Sequence, residues 1–273
     1  MRCACFGLLS LFLMACGAQY ELRPSFTAGR TYVETTAIDV ETTGESIGTR
    51  AEHLRWVVER TILSGGRLGQ APLAWLERTT RVTADERGRR VLRWDSDSGL
   101  PPPDDYAVYA ALHSLRAEVH VSPQGEVSVA GLHFKTDAME RSGWSANLIA
   151  IVKQSFSKEK LAQATRDFLK RLPARTVRLN DTWTSDWALL GLGARWTWQL
   201  VSVSADRARF RITGAMSANP VIPMEIQRAT GEAEIELASG VIHTLSLALT
   251  ARQPMGGVVL HHKGSLRMTT RVR

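Results

Sequence analysis

Most of the sequence alternates apolar and polar residues with a period of two, and one long central stretch replaces this alternation with helical spacing. Apolar residues alternate with arginines in Arg207–Ile212 and with glutamates in Glu232–Leu237. A strand with this period places its apolar residues on one face and its polar residues on the other. In the segment Ala51–Leu63, the residues that share the dry face are Leu54, Trp56, Val58 and Ile62. The pattern therefore predicts an antiparallel sheet that is covered on one side and meets water on the other.

The central stretch from Thr136 to Leu172 has the spacing of amphipathic helices, and Pro173 ends it. It predicts two helices or one bent helix, with Ser157 as an N-cap between two apolar stripes. The first stripe consists of Leu148, Ile149, Val152 and Phe156, and the second consists of Leu161, Thr165, Phe168, Leu169 and Leu172. We expect the basic residues of the opposite face, Lys170 and Arg171 among them, to lie in water, although such a face can also rest on an anionic membrane.

These patterns predict an α+β fold: a large, curved antiparallel β-sheet, half-barrel-like in shape, with the central amphipathic helices packed on one face. A parallel sheet would require repeated alternation of strands and helices, which the sequence lacks. We expect one β-rich domain over residues 24–273, with the helical insertion at about residues 136–172. A domain of this length can bury a large core.

The first sixteen residues have the features of an export signal that ends in a lipid attachment site. A positive start precedes Phe6–Ala15, which is apolar but too short to span a bilayer. The segment Leu13–Cys16 resembles the lipobox of bacterial lipoproteins, in which a small residue precedes an invariant cysteine that takes a diacylglyceryl group. This resemblance implies a signal peptide at residues 1–15, lipid on Cys16 and a short tether at residues 16–23. An ordinary signal peptide that is cut elsewhere, with the cysteine incidental, is the alternative.

The lipobox also implies a location in the cell. Acyl groups on the cysteine would hold the protein on a membrane of the cell envelope, facing the periplasm or the cell surface. Gly17 instead of aspartate after the cysteine favours the outer membrane. The remaining cysteines, Cys3 and Cys5, lie before the predicted cut. The mature domain therefore cannot form disulfides, cysteine-ligated metal sites or a thiol nucleophile.

Charge and histidine placement exclude other classes of function. The formal net charge is +7, and the arginines are scattered along the chain. No nucleic-acid-binding motif accompanies this charge, so we expect no nucleic-acid partner. His261 and His262 would point to opposite faces of a strand, and the other histidines lie singly. We therefore predict neither a metal site nor a cofactor.

Several features together resemble a family of bacterial lipoproteins of unknown function. They are the lipobox, the leading strands, the segment EVHVSPQGEVSVAG at residues 118–131, the central helices and the stretch from Leu172 to Trp183. In outline the sequence is also similar to half-barrel carriers that move lipids and lipoproteins across the periplasm. The family resemblance implies no catalytic residues. The architectural resemblance implies a curved sheet that binds an apolar ligand, such as a lipid, or an envelope partner protein.

Paired tryptophans are the most prominent candidates for a ligand site. In regular strands Trp183 and Trp187 share one face, and so do Trp196 and Trp198. We predict that they line the mouth of an apolar groove, because indole combines a large apolar area with one polar group. The helix side of this groove would consist of Leu148, Val152 and Phe156, together with Ile149. Alternatively, the tryptophans fill the core or the rim of the sheet.

A serine-enzyme pattern represents the alternative class of function. The segment Ser155–Lys158 fits S-x-x-K, Ser217–Asn219 fits S-x-N, and Lys263 with its following glycine is similar to the Lys-Thr-Gly strand of penicillin-recognising enzymes. These fragments would make the protein an envelope serine hydrolase. In such enzymes the serine begins a helix and the lysine follows one turn later, whereas here Ser157 fits the N-cap better. We therefore expect a membrane-anchored, non-catalytic lipoprotein.

Overall fold

The computed structural model describes residues 19–273 except residues 46–47, 88–91, 174, 190–191, 217–224 and 256–257. At residues 87, 92, 105, 187–189, 192–194, 215–216, 225–226 and 255 the description is limited to the backbone. Cys16 and the predicted signal peptide lie outside the described residues, as does the segment Ser217–Asn219.

Strands occupy both sides of the helical region, where the period-two alternation predicts them. In the described part of the chain they are β1 (Tyr20–Glu21), β2 (Ser25–Phe26), β3 (Thr31–Gly44), β4 (Gly48–Ser64), β5 (Gly66–Arg67), β6 (Leu73–Arg87), β7 (Leu92–Asp95), β8 (Arg116–Val121), β9 (Val127–His133), β10 (Thr176–Val177), β11 (Thr182–Leu189), β12 (Leu192–Val203), β13 (Arg207–Met216), β14 (Glu225–Glu236), β15 (Ile242–Met255) and β16 (Val258–Val272).

One helix precedes β8 and three follow β9. They are α1 (Ala107–His113), α2 (Asp137–Arg141), α3 (Ala146–Ser155) and α4 (Lys158–Lys170), with short 3-10 helices at Ser96–Ser98 and Asp104–Tyr106. Within the described ranges, each helix is too short or too polar to cross a membrane.

The central stretch contains three helices where the sequence predicted two or one bent helix. The additional break lies at Gly143, whose φ of 74° is a left-handed conformation that ends α2. Ser157 caps α4 as predicted, because its side-chain oxygen accepts a hydrogen bond from the backbone nitrogen of Lys160 at 3.3 Å.

Twelve of the described strands form one antiparallel sheet in the order β11-β12-β13-β14-β15-β16-β3-β4-β6-β8-β9, with β7 paired to β6. Two short ladders lie outside it and join β1 with β10 and β2 with β5. Because β16 pairs with β3, strands that are distant in the sequence are neighbours in the middle of the sheet. The sheet is not closed, and β9 and β11 are its edges.

Helix α4 packs against both of these edge strands. The helix has 13 residues and is therefore about 20 Å long. In a flat sheet the ten spacings between β9 and β11, at about 4.8 Å each, would separate these edges by about 48 Å. The sheet must therefore curve strongly, with its concave face toward the helices. The predicted α+β fold, with a large curved antiparallel sheet and helices on one face, is confirmed.

Two apolar clusters fill parts of the concave side. The first lies on β12 to β16 and includes the fully buried side chains of Trp198 and Phe210. The second lies on β3, β4, β6 and β8 and includes Ile62 and Trp75, against which Leu169 of α4 packs. Helix α4 and the dry face of β3, β4, β6 and β8 thus form the second cluster together.

The outer face carries the charge rows that the alternation predicts. The facing pairs of β13 and β14 are Arg207 with Glu236, Arg209 with Glu234, and Arg211 with Glu232. Arg209 and Glu232 form an ion pair of 3.2 Å in which both side chains are more than half exposed. Such exposed pairs contribute at most about 1 kcal/mol each, so the rows are a consequence of the sheet and not its cause.

Gly214 of β13 lies opposite Trp196, and the indole ring occupies the space where a side chain would begin. A Cβ atom at this position would lie 2.5 Å from Cζ3 of Trp196. We expect Gly214→Ala to lower the free energy of unfolding by about 1–3 kcal/mol, because it displaces a buried ring. Thr213→Ala, on the exposed face of the same strand, is the control and should change this energy by less than about 0.5 kcal/mol. Urea denaturation measures both, and equal losses would contradict the packing of Trp196 on this glycine.

Candidate functional site

A cavity of about 870 Å³ lies between the concave face of the sheet and helices α3 and α4. Its volume falls in the range of about 300–1,000 Å³ that is usual for small-molecule sites. Alternate residues of β4 line it from Leu54 to Ile62, a distance of about 26 Å at about 3.3 Å per residue. The cavity is therefore elongated along the strands.

Apolar side chains form the larger part of the cavity wall. On the sheet side they include Leu54, Trp56 and Val58, and on the helix side they include Leu112, Phe156 and Leu161. The exposed Ser155 at the end of α3 also belongs to the wall. Ala164 of α4, another residue of the wall, is also exposed, and the cavity therefore meets solvent along its helical cover.

Three aromatic side chains form the floor of the cavity at the Ile62 end of the β4 wall. Phe26 meets Tyr32 edge to face, with ring centroids 5.6 Å apart, and its ring lies 6.2 Å from that of Trp75. Tyr32 and Trp75 are buried. The alternation of β3 and β6 places the next residues on the same face, Glu34 and Glu77, directly beside this floor.

A chain of charged hydrogen bonds crosses three strands at this level. Arg60 of β4 donates from Nη1 to Oε2 of Glu34 on β3 and from Nε to Oε2 of Glu77 on β6, both at 2.8 Å. Trp75 also donates from Nε1 to Glu77, at 3.4 Å. Burial opposes the charge of Arg60, but the two carboxylates outweigh this effect and raise its pKa above the ordinary value. The protein itself therefore neutralises the charge of Arg60.

Arg171 is a second cation in the cavity wall and is only 3% exposed. Its guanidinium carbon lies 3.4 Å from the ring centroid of Phe168, and its Nη1 donates to the carbonyl oxygen of Phe168. Among the described residues, its Nε has no hydrogen-bond partner. Burial lowers the pKa of Arg171 to about 9, so the group remains cationic at neutral pH.

The expectation that Arg171 faces water is wrong. The residue follows Phe168 by three positions and keeps helical backbone angles, with φ −62° and ψ −28°. Positions i and i+3 lie on one side of a helix. Arg171 therefore lies in the cavity wall together with Phe168. The neighbouring Lys170 is exposed, as predicted.

The structure places the predicted tryptophans in the core of the other half of the sheet. Trp183 of β11 faces Trp198 of β12 in register, and their rings stack with centroids 6.3 Å apart. Trp196 and Trp198 are fully buried in a cluster that Leu172 completes, and none of these three tryptophans lines the cavity. This position corrects the expectation of a groove mouth. Trp187 belongs to β11, but its side chain lies outside the described part.

Trp183 nevertheless connects this cluster to the cavity. Its Nε1 donates to the backbone carbonyl of Arg171 at 3.0 Å. Trp198 instead donates to Oγ of Ser185 at 2.9 Å, so both indole N–H groups have acceptors. The bond from Trp183 holds the segment after α4 against the edge strand β11 and thereby positions Arg171.

The predicted helix residues are divided between two environments. Phe156 lines the cavity. Leu148 is 48% exposed, and Val152 packs in a small cluster with Met139 and Ile149. Ile149 and Val152 of α3 pack with residues of α1 and α2, and the cavity wall includes only Ser155 at the C-terminal end of α3 and the following Phe156.

The serine-enzyme motif has a geometry that differs from the one its pattern requires. Ser155 is the last residue of α3, and its Oγ donates to the carbonyl of Ile151 at 2.8 Å. Lys158 begins α4, so the two side chains do not lie one turn apart on a common helix. Lys263 lies on β16, and Ser217–Asn219 lies outside the described residues. In the ranges that the structure describes, no group of three or more histidine, cysteine, aspartate or glutamate residues could hold a metal ion.

Sequence reasoning missed Glu34, Arg60 and Glu77 as a group, although the alternation contains a signal for them. Arg60 lies two residues after Val58 and two before Ile62, on the face that the sequence predicts to be dry. A charge on a dry face needs a partner there, because an unpaired buried charge is strongly unfavourable. When charged residues of opposite sign occupy dry-face positions on neighbouring strands, the sequence therefore indicates a buried ion network.

The fold and the site together define a structural class. It is a curved antiparallel sheet with a helical cover and an internal cavity on the concave face. The chain matches the model of a family of unknown function (DUF6263) over residues 88–249, more than half of its length, and it belongs to that family. No curated protein matches the chain.

A solved structure described as lipid-protein interactions in lipovitellin has a similar fold. The two share a TM-score of 0.51 and 8% sequence identity, and the match covers 91% of this chain and 26% of that chain. This chain therefore spans about a quarter of the lipovitellin chain. At this identity the likeness concerns the fold alone.

Two arginine–glutamate pairs of β4 and β6 provide a matched test of burial. Arg60 faces Glu77 inside the cavity, and at the adjoining ladder position Arg78 faces Glu59 on the outer face. Arg60→Met should lower the free energy of unfolding by about 3–5 kcal/mol, because it leaves Glu77 and Glu34 without their cation. Arg78→Met is the control and should lower it by less than about 1 kcal/mol, because Arg78 is 58% exposed. Urea denaturation decides, and similar losses in both variants would refute the buried network.

Proposed function

We propose that this protein is a membrane-anchored, non-catalytic lipoprotein of the cell envelope that holds the acyl chain of a lipid in its cavity. The observation that carries the proposal is the long apolar cavity between the sheet and helices α3 and α4. An apolar wall that meets water favours a ligand that removes this surface from solvent. The ligand is therefore a molecule with a long apolar part.

The dimensions of the cavity support an acyl chain. From Arg60 to Leu54 the wall of β4 extends over six residues, or about 20 Å at about 3.3 Å per residue. An acyl chain spans about half of a bilayer core that is about 30 Å thick, or about 15 Å. One extended chain therefore fits lengthwise along the wall between the charged group and Leu54. Each buried methylene would contribute about 0.8 kcal/mol.

The comparison with lipovitellin supports a lipid as the class of ligand. The description of that structure names lipid-protein interactions, and the similarity in fold covers 91% of this chain. A wide curved sheet has a concave face that one layer of helices does not fill completely, which suits flexible apolar ligands. No individual residue is transferred from lipovitellin to this protein.

The lipobox supports the anchor and the location. Leu13–Cys16 provides the small residue and the thiol that lipid attachment requires, and Gly17 favours sorting to the outer membrane. Acyl groups on Cys16 would keep the cavity close to a membrane, where single-chain and double-chain lipids are abundant. An anchored protein of this kind acts as a local carrier or sensor of lipid.

The cavity can be tested by photolabelling of the full chain in phospholipid nanodiscs. A long-chain lipid that bears a diazirine, offered as the acid and as the alcohol, should label peptides from β4 and α4 in a saturable manner. Thr165→Phe, which enlarges a half-buried side chain of the cavity wall on α4, should reduce this labelling several-fold. Ala150→Phe places the same side chain at an exposed position of α3 and should leave it unchanged. Labelling that does not saturate, or that is equal in both variants, would contradict the proposal.

The anchor has its own test. In cells grown with an alkyne fatty acid, Cys16→Ala should abolish incorporation of the label and leave an unprocessed or differently cut precursor. Cys5→Ala removes a thiol within the predicted signal peptide and should leave labelling unchanged. Equal labelling of Cys16→Ala and the unmodified protein would exclude this cysteine as the lipid attachment site.

A further inference from the structure

The protein leaves one buried cation in the cavity with an incomplete set of hydrogen bonds. Arg171 is only 3% exposed and lines the cavity, and its Nη1 donates to the carbonyl of Phe168. Within the described part of the chain, its Nε finds no acceptor. Buried donors are almost always satisfied in folded proteins, and an unsatisfied charged donor is especially unfavourable. Such a group requires an acceptor that the chain itself does not supply.

We propose that the ligand of this cavity is an amphiphile with one carboxylate head group, a long-chain fatty acid, and that its carboxylate binds the guanidinium of Arg171. This inference rests on the proposed function of the cavity as a lipid site. It adds the chemical class of the head group and the residue that recognises it.

Arg60 is not an equivalent candidate for this role. Its Nη1 and Nε already donate to Glu34 and Glu77, both at 2.8 Å. Both guanidinium groups lie near the ring of Phe168, at 3.4 Å for Arg171 and 5.7 Å for Arg60. The two cations therefore occupy one level of the cavity, and Arg171 is the one with a buried donor, Nε, that lacks an acceptor in the described part of the chain.

The neighbouring charges favour a carboxylate over a phosphate. Arg60 and Arg171 balance Glu34 and Glu77, so the formal charge of the group is zero before a ligand binds. A carboxylate adds one negative charge to this buried group, whereas a phosphate monoester adds up to two. A planar guanidinium also matches the two oxygens of a carboxylate. A small head group with a single charge is therefore the best complement.

The position of Arg171 also sets the direction of the bound chain. The aromatic floor of Phe26, Tyr32 and Trp75 lies on one side of the charged level. The long apolar wall from Val58 to Leu54 extends on the other side. The fatty acid thus lies with its carboxylate at the charged level and its chain along the wall from Val58 to Leu54.

Competition against a neutral probe tests this head-group preference. The full chain in phospholipid nanodiscs is photolabelled with a diazirine-bearing long-chain alcohol, and oleate, oleyl alcohol and oleoyl lysophosphatidate compete. Oleate should displace the probe at a concentration on the order of tenfold lower than oleyl alcohol, as expected for a hydrogen bond to a buried charge. Lysophosphatidate should compete less well than oleate.

Two variants identify the residue responsible. Arg171→Met should remove the advantage of oleate over oleyl alcohol while the neutral probe still labels the cavity. Lys170→Met removes the same charge from the adjacent exposed position and should preserve that advantage. If Arg171→Met does not fold, as judged by thermal melting, the competition in the unmodified protein still decides the head-group preference.

The outcomes separate this inference from the proposed function. Saturable labelling that oleate and oleyl alcohol displace equally would overturn the carboxylate site and leave the lipid cavity intact. Stronger competition by lysophosphatidate would also overturn it, in favour of a phosphate head group. An absence of saturable labelling by any probe would instead refute the lipid cavity itself. Preserved oleate preference in Arg171→Met would exclude Arg171 as its cause.

Discussion

The contact of helix α4 with both edge strands, β9 and β11, sets the shape of the molecule. A helix about 20 Å long touches both edges of so wide a sheet only if the sheet curves around it. The curved sheet encloses more volume than one helix can fill, and residues of α4 that line this volume, such as Ala164 and Thr165, are small. The cavity therefore forms because a single helix, α4, does not fill the space inside the wide curved sheet.

The buried charges on β3, β4 and β6 serve more than stability. Glu34, Arg60 and Glu77 lie on three neighbouring strands, and a shift in register by one residue would turn them outward and expose apolar side chains. In other proteins, apolar side chains often replace such groups without loss of stability, so stability alone does not explain their presence. Their hydrogen bonds specify the register and at the same time give the apolar cavity one polar level.

The period of two allowed the sheet, its dry face and the outer charge rows to be predicted, because face assignment depends on local spacing alone. Trp183 and Trp198 do share a face, as expected. The period does not show what covers a face. Here Leu172 and Val177 pack in the cluster of the tryptophans, and these contacts between distant residues produce no pattern in the local sequence. Arg171 was assigned to water because charged residues are rarely buried, and its burial depends on the geometry at the end of α4. Of the predicted groove residues whose side chains are described, Phe156 alone lines the cavity.

The two ends of α4 are held by different contacts. At the C-terminal end, Trp183 bonds the carbonyl of Arg171, and Phe168 packs under the guanidinium of the same residue. At the N-terminal end, the helix follows a break at Ser157, next to the exposed Ser155 in the cavity wall. Displacement of this end would disturb neither the ion network nor the tryptophan bond. The two ends of α4 therefore have separate sets of contacts, and the charged level of the cavity lies with the C-terminal set.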